Sequence, residues 1–433
     1  MHLSSGFAAR AEPSPFEAAA YAKVTRRLIP FLFLCYVVAY LDRVNLGFAK
    51  LQMAHALRFS ETVYGAGAGI FFIGYFLFEV PSNLILHRVG ARRWIGRIMI
   101  TWGFASAAMV VVSTPASFYL VRFVLGLAEA GFYPGIILYL TTWYPARQRG
   151  RIVALFMTAV PISSVLGAPV SGWILRSCSA GGRLQGWQWL FLIEAIPAVV
   201  LGVAAIFLLK DGIDQAGWLN PEEKALLQEQ LAEEGRGQET RAAGQALLHP
   251  KTWLAIMVYF CFCVGLYGVS FWLPTIVQGA GVTDPLRIGF LTALPWAAGA
   301  TAMIVVSRSS DRRGERRWHV AIPSFLSGIG FLAAAAFAHH LIPALAGLTL
   351  ATLGITIVLP LFWSLPTAFL GGIGAAAGLA LINSVGNLGG FLGSFMVGWI
   401  KDLTRGGDSG IDALAAAMFI GGMLVLLFPA RTP

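Results

Sequence analysis

Charge is what this sequence has least of. Aspartate, glutamate, lysine and arginine make up 12% of 433 residues, against 57% hydrophobic residues and a mean hydropathy of +0.71. Soluble globular chains carry about 25% charged residues, so an ordinary water-exposed surface is excluded. Cysteine is scarce too: Cys35, Cys178, Cys261 and Cys263 show no metal-ligand spacing, and the closest two, Cys261 and Cys263, point to different sides of an apolar helix. They read as packing residues. No His/Glu metal spacing, nucleophile elbow or phosphate loop occurs, which argues against an intramembrane enzyme. The segment before Leu28 is polar and contains Glu12 and Glu17, with no small-residue cleavage site after the first apolar run, so no removable signal peptide is expected.

What is present is a succession of apolar runs of the roughly 20 residues that a helix needs to cross the hydrocarbon core. Twelve are placed near 28–48, 64–86, 94–113, 117–143, 152–175, 187–209, 252–278, 287–307, 319–338, 341–365, 373–400 and 411–430. The expected fold class is an all-α membrane protein with 12 transmembrane helices in two six-helix pseudo-symmetric halves. The division expected is a cytoplasmic N-terminal segment 1–27, a first half 28–209, a linker 210–251 and a second half 252–433. Within the linker, Asn220-Pro221-Glu222-Glu223 is a helix start, with an N-cap, a proline in the first turn and acids at the positive end of the dipole. Cytoplasmic loops carry an excess of Lys and Arg. With both termini inside, 22 of the 31 basic residues fall on the inner side, 7 outside and 2 within spans. The net charge of +10 therefore needs no nucleic-acid partner.

Six ionisable side chains lie well inside the spans, and all belong to the first half: Asp42, Arg43, Glu79, Arg122, Glu129 and Glu194. A charge at the bilayer centre costs about 2.5–3.5 kcal/mol on insertion scales, so such residues face the bundle interior and mark a solute or proton path.

The halves repeat. His87-Arg88-Val89-Gly90-Ala91-Arg92-Arg93 follows the second span and Asp311-Arg312-Arg313-Gly314-Glu315-Arg316-Arg317 the eighth, an offset of 224; Gly172-Trp173-Ile174 matches Gly398-Trp399-Ile400 at an offset of 226. A parallel six-plus-six duplication is the architecture of alternating-access transporters with a midplane site between the halves. The basic loops resemble the signature between helices two and three of the major facilitator superfamily, the second copy matching better because His87 replaces the acid in the first. Leu41-Asp42-Arg43-Val44-Asn45-Leu46-Gly47-Phe48-Ala49, the stretch from Arg122 to Gly135, and Trp143-Tyr144-Pro145 before a basic run resemble, more narrowly, the anion:cation symporter family. That resemblance implies a proton-coupled symporter of a carboxylate or sugar acid, with the proton as coupling ion and no other cofactor. It also implies a monomer in the bilayer of a bacterial inner membrane.

The residues agree with that implication. At 1.5 Å per residue, Arg43 and Arg122 reach the same outer half of the membrane, where two guanidiniums can offer bidentate donors to a carboxylate. Asp42 and Glu129 are the candidate proton carriers, Glu129 modulating Arg122 two helical turns away and Asp42 linked to opening and closing, since a carboxyl in low dielectric protonates readily and a nearby arginine opposes it. Asp42 and Arg122 could instead form a structural ion pair. Asn383 and Asn387, one turn apart, with Tyr75 and Tyr267, are candidate neutral substrate contacts; Trp272, Trp296 and Trp363 could pack on a carbon skeleton. Glu79 reads as a cap or pin of the cytoplasmic gate, and Glu194 equally as a helix-end contact or a transport residue. Asp311, Arg312 and Arg316, with Arg88 and Arg92 of the first copy, are the expected gating charges. A cation antiporter shares the scaffold but is disfavoured by two cavity arginines. A neutral-solute facilitator, or a non-transporting sensor, would share it also.

Overall fold

The computed structural model describes residues 14–178, 183–236, 249–370, 372–405 and 409–429, and among them every regular element is helical. The first half comprises α1 (Pro15–Ala56), α2 (Glu61–Val89), α3 (Ala91–Ala107), α4 (Pro115–Glu129), α5 (Phe132–Thr141), α6 (Ala146–Met157), α7 (Ala159–Ser177) and α8 (Gly186–Leu208). A linker helix, α9 (Pro221–Arg236), precedes α10 (Pro250–Gly279), α11 (Pro285–Arg313), α12 (Arg317–Ala336), α13 (Leu341–Phe362), α14 (Ser364–Thr367), α15 (Gly372–Asn387), α16 (Gly389–Leu403) and α17 (Ser409–Val425). Several spans are built from two helices: α4 and α5 meet at Gly131, whose φ of 83° is open to glycine without strain, and α15 and α16 meet at Leu388. Among the described residues, eleven segments are long and apolar enough to cross a membrane, and the twelfth, Ser409–Val425, is a shorter apolar helix.

Local sequence explains the ends. Ser14 accepts from the Glu17 amide ahead of Pro15, Thr114 and Ser117 form a reciprocal capping box, and Asn220 and Glu223 form another at the start of α9. Residues 15–27, expected outside the first span, prolong α1 beyond it as one 42-residue helix.

An even number of spans puts the start of α1 and the end of α17 on one face, together with α9, which pairs with α1 near its start; this is called the linker face. On the opposite face the halves are sealed along two seams. Membrane helices gain little from burying apolar surface against one another, so close backbone approach through small residues carries the packing. A Cβ on Gly172 of α7 would lie 2.4 Å from the Pro285 carbonyl of α11, and one on Gly398 of α16 would lie 2.2 Å from the Glu61 carbonyl of α2. Charges finish the seal. Asp402 accepts from the Glu61 and Thr62 amides at 3.3 and 2.8 Å, at the positive end of α2. Lys50 pairs with Glu61 at 2.5 Å and stands 3.8 Å from the Trp272 ring, and Arg176 meets Asp284 at 3.5 Å.

Candidate binding site between the halves

The cavity of interest lies at the meeting of α1, α2, α5, α6 and α7 with α10, α13 and α15. It is small, about 30 Å³. Its wall contains Arg43, Tyr75, Tyr267, Asn383 and Asn387, so five of the six side chains expected to contact substrate converge there. Tyr36, Tyr40, Tyr133, Tyr259 and Trp363 supply most of the remainder. Tyr36, Tyr40 and Arg43 recur at intervals of four and three, one face of α1, and that spacing was the readable signal for the tyrosines the sequence reading passed over.

Arg43 is the centre of the site. Its Nε and one terminal nitrogen donate to Oε1 of Glu129 at 2.8 and 2.5 Å, and its other terminal nitrogen donates to the Tyr267 hydroxyl at 3.1 Å. The guanidinium lies 5.1–5.5 Å from the rings of Tyr40, Phe71 and Tyr75, within cation–π range. Tyr267 donates onward to Asn387 Oδ1 at 3.4 Å, Asn387 donates to the Asn383 carbonyl at 2.9 Å, and the Asn383 amide donates to Glu79 Oε1 at 2.8 Å. Hydrogen bonds thus cross from the first half to the second through Tyr267 and Asn387, and back to the first through the side chain of Asn383.

Arg122 lies elsewhere. Expected beside Arg43 as a second carboxylate donor, it is fully buried outside the cavity wall. Its Nε and a terminal nitrogen donate to the carbonyls of Gly67 and Ala68, each at 3.2 Å, with the guanidinium 5.0 Å from the Phe71 ring. A guanidinium satisfied by two backbone carbonyls clamps α4 to α2. It makes no ion pair with Asp42.

Asp42 also faces away from the cavity. Its Oδ1 accepts from Ser106 of α3 at 2.5 Å and from Asn45 at 3.1 Å, while Oδ2 is buried without a donor. Glu194 accepts from Ser171 at 2.7 Å, tying α8 to α7, and its second oxygen also has no donor. The two carboxyls flank Asn45 in one buried polar cluster behind the Arg43 wall. Of the tryptophans, Trp363 lines the cavity, whereas Trp272 belongs to the opposite-face seal and Trp296 is buried elsewhere.

The expected gating charges lie at the linker face, each within its own half. Arg316 donates to Asp311 at 2.6 Å and to Ser310 at 2.8 Å; Arg312 and Arg88 are exposed. In the first copy, where His87 stands in the acid's place, Asp211 just after α8 supplies the carboxylate, accepting from the Arg92 amide at 2.9 Å and approaching its side chain at 3.9 Å. Asp211 was not among the residues singled out from sequence. Among the described residues no cluster of His, Cys, Asp and Glu could hold a metal.

Comparison with known proteins places the fold. The Major Facilitator Superfamily profile matches residues 32–394. The chain belongs to that superfamily. It is 48% identical over 419 residues to a putative tartrate transporter of Agrobacterium vitis, covering 96% of this chain and 93% of that one. It is 45% identical over 415 residues to the putative metabolite transport protein NicT of Pseudomonas putida, covering 95% of each. Among solved structures, a D-xylose-proton symporter superposes with a TM-score of 0.72 at 15% identity, covering 94% of this chain and 98% of that one, a likeness of fold. This superfamily member is an integral membrane transporter of small solutes and not an enzyme.

Proposed function

We propose that the protein imports a small organic anion, a carboxylate or sugar acid, together with protons, by alternating access, with the linker face in the bacterial cytoplasm. The observation that carries this reading is Arg43: a guanidinium set in the wall of an aromatic cavity between the halves and neutralised there by Glu129. Removing water strengthens a guanidinium–carboxylate bond, and the planar fork suits a carboxylate better than a point charge does. Relatives whose names include tartrate transport agree with an acidic cargo.

The proton enters through the same pair. Glu129 and an incoming carboxylate are rivals for Arg43. When Glu129 takes up a proton its hold on the guanidinium weakens, and the anion replaces it, so anion and proton load together. Tyr75, Tyr267, Asn383 and Asn387 then read hydroxyls or a second carboxylate. Asp42, with an undonated oxygen beside Ser106 and Asn45, is the second proton carrier, linking charge to the hydrogen bond that ties α1 to α3. Arg122 acts through its clamp on α2 and through its field at Asp42, and touches no cargo.

The test is uptake into proteoliposomes. Tartrate and a panel of sugar acids are offered with and without an inwardly directed proton gradient, beside neutral sugars as control. Gradient-driven accumulation of an acid that vanishes in Arg43→Ala is expected. Uptake of neutral sugars indifferent to pH would replace this reading with a facilitator.

A further inference from the structure

Glu79 is a buried carboxylate that the transport scheme above leaves unused. It sits on α2 eighteen residues from Glu61, about 27 Å along the helix, and so on the linker-face side of the cavity. Its side chain is 2% exposed. Among the described residues no cation pairs with it. Instead both oxygens are held by the second half: Oε1 accepts from the Asn383 amide at 2.8 Å and Oε2 from the Ser384 hydroxyl at 2.6 Å. These bonds cross between the halves on the side from which cargo must leave.

We infer that Glu79 is an interdomain latch, holding α15 of the second half against α2 of the first beneath the cavity, and that release to the cytoplasm requires its two bonds to break. A carboxylate satisfied only by neutral donors suits this task. Separation of the halves admits water, which replaces both bonds, so the latch opens without stranding a paired charge. An ion pair in the same place would be harder to part.

Asn383 makes the latch answer to what occupies the cavity. Its side chain belongs to the cavity wall and is also one of the latch donors. An anion bound at Arg43 faces Glu79 with like charge and draws on the same amide, which loosens the latch when the site is loaded and leaves it fast when the site is empty. That last step rests on the anion reading of the site; the latch itself does not.

The experiment uses a membrane-impermeant maleimide on inside-out vesicles. The four native cysteines are replaced and Met157, on the cavity wall at the end of α6, is changed to cysteine as reporter. Without any anion, Glu79→Gln should label faster than the parent by about five-fold or more, the size of ordinary conformational coupling. Ser384→Ala, which removes one bond and leaves the cavity wall intact, should do the same to a smaller degree. In a double-mutant cycle, Glu79→Gln combined with Asn383→Ala should add little to either alone. Labelling of both Glu79→Gln and Ser384→Ala at the parent rate overturns the latch. Millimolar tartrate should accelerate labelling of the parent and leave Glu79→Gln unchanged. If the variants label fast but tartrate alters neither protein, the latch stands and the anion reading of its trigger fails.

Discussion

Arg43 and Glu129 carry opposite charges where the bilayer would tolerate neither alone. Breaking such a buried pair from one side leaves an uncompensated charge and typically costs about 3–5 kcal/mol, so the informative substitutions keep shape and change one property. Arg43→Lys retains the charge but not the fork that spans Glu129 and Tyr267. Losing a charge-assisted bond of about 1.5–3 kcal/mol corresponds to a weakening of about ten-fold or more, which anion-binding calorimetry on the purified protein should register. Glu129→Gln keeps an acceptor for Arg43 and cannot take up a proton. Counterflow exchange of the cargo should survive in that variant while accumulation driven by a proton gradient disappears; retained accumulation would move the proton site elsewhere. That both charges face inward was legible in the sequence, because a charge in an apolar run must face something other than lipid, but their pairing was not: Glu129 was expected to act on Arg122, two turns away on its own span, and is held instead by Arg43 of α1. Arg122 shows where that logic stops. Helical rise gave its depth, but its direction depends on the carbonyls of Gly67 and Ala68, presented by a neighbouring helix whose rotation no local pattern reports.

Among the helices, the internal repeat acquires a physical meaning. The Gly-Trp-Ile copies at 172–174 and 398–400 begin with the two glycines that let α7 meet α11 and α16 meet α2 on the opposite face. The duplication is therefore visible in sequence because the pseudo-symmetric seams need the same small residue twice. A side chain at Gly172 would strike the Pro285 backbone at 2.4 Å, and backbone cannot rotate aside. Gly172→Val should wedge that seam and shift the population toward the form open on the opposite face. Spin-label distances between α7 and α11 at that face should lengthen by several ångströms, with uptake reduced about ten-fold. Distances unchanged from the parent would show that the seam adapts. The sequence also marked the breaks less well than the spans: 117–143 reads as one apolar run, yet α4 and α5 part at Gly131, since a single glycine within a helix signals a turn only when the neighbouring chain demands one.

For the molecule as a whole, twelve apolar runs and their basic loops were enough to anticipate the two-half fold, because bilayer thickness and backbone satisfaction leave few alternatives. How the connecting segment is used was not legible, for its partners are distant in sequence. α9 docks on the first half: Glu223 pairs with Lys23 of α1, the Tyr21 hydroxyl donates to Gln230 at 2.7 Å, and Trp218 stacks on Trp143 with centroids 5.7 Å apart. The linker helix therefore travels with the first half when the halves rock. Glu223 gives this docking a pH signature. The hydrogen bond from the Lys23 ammonium, together with the Asn220 amide, holds its carboxyl below the ordinary range. A depressed folded value means that the stabilisation is complete above the free carboxylate value of about 4.3, and is lost as pH falls through the lower value of the docked state. Spin labels at the exposed positions Arg27 and Glu229 should give a narrow distance distribution at neutral pH that broadens only below the ordinary carboxylate range. Glu223→Gln should abolish that dependence on pH. A parent distribution that stays narrow through the acid range would mean that Trp218 and Tyr21 hold the linker without the ion pair.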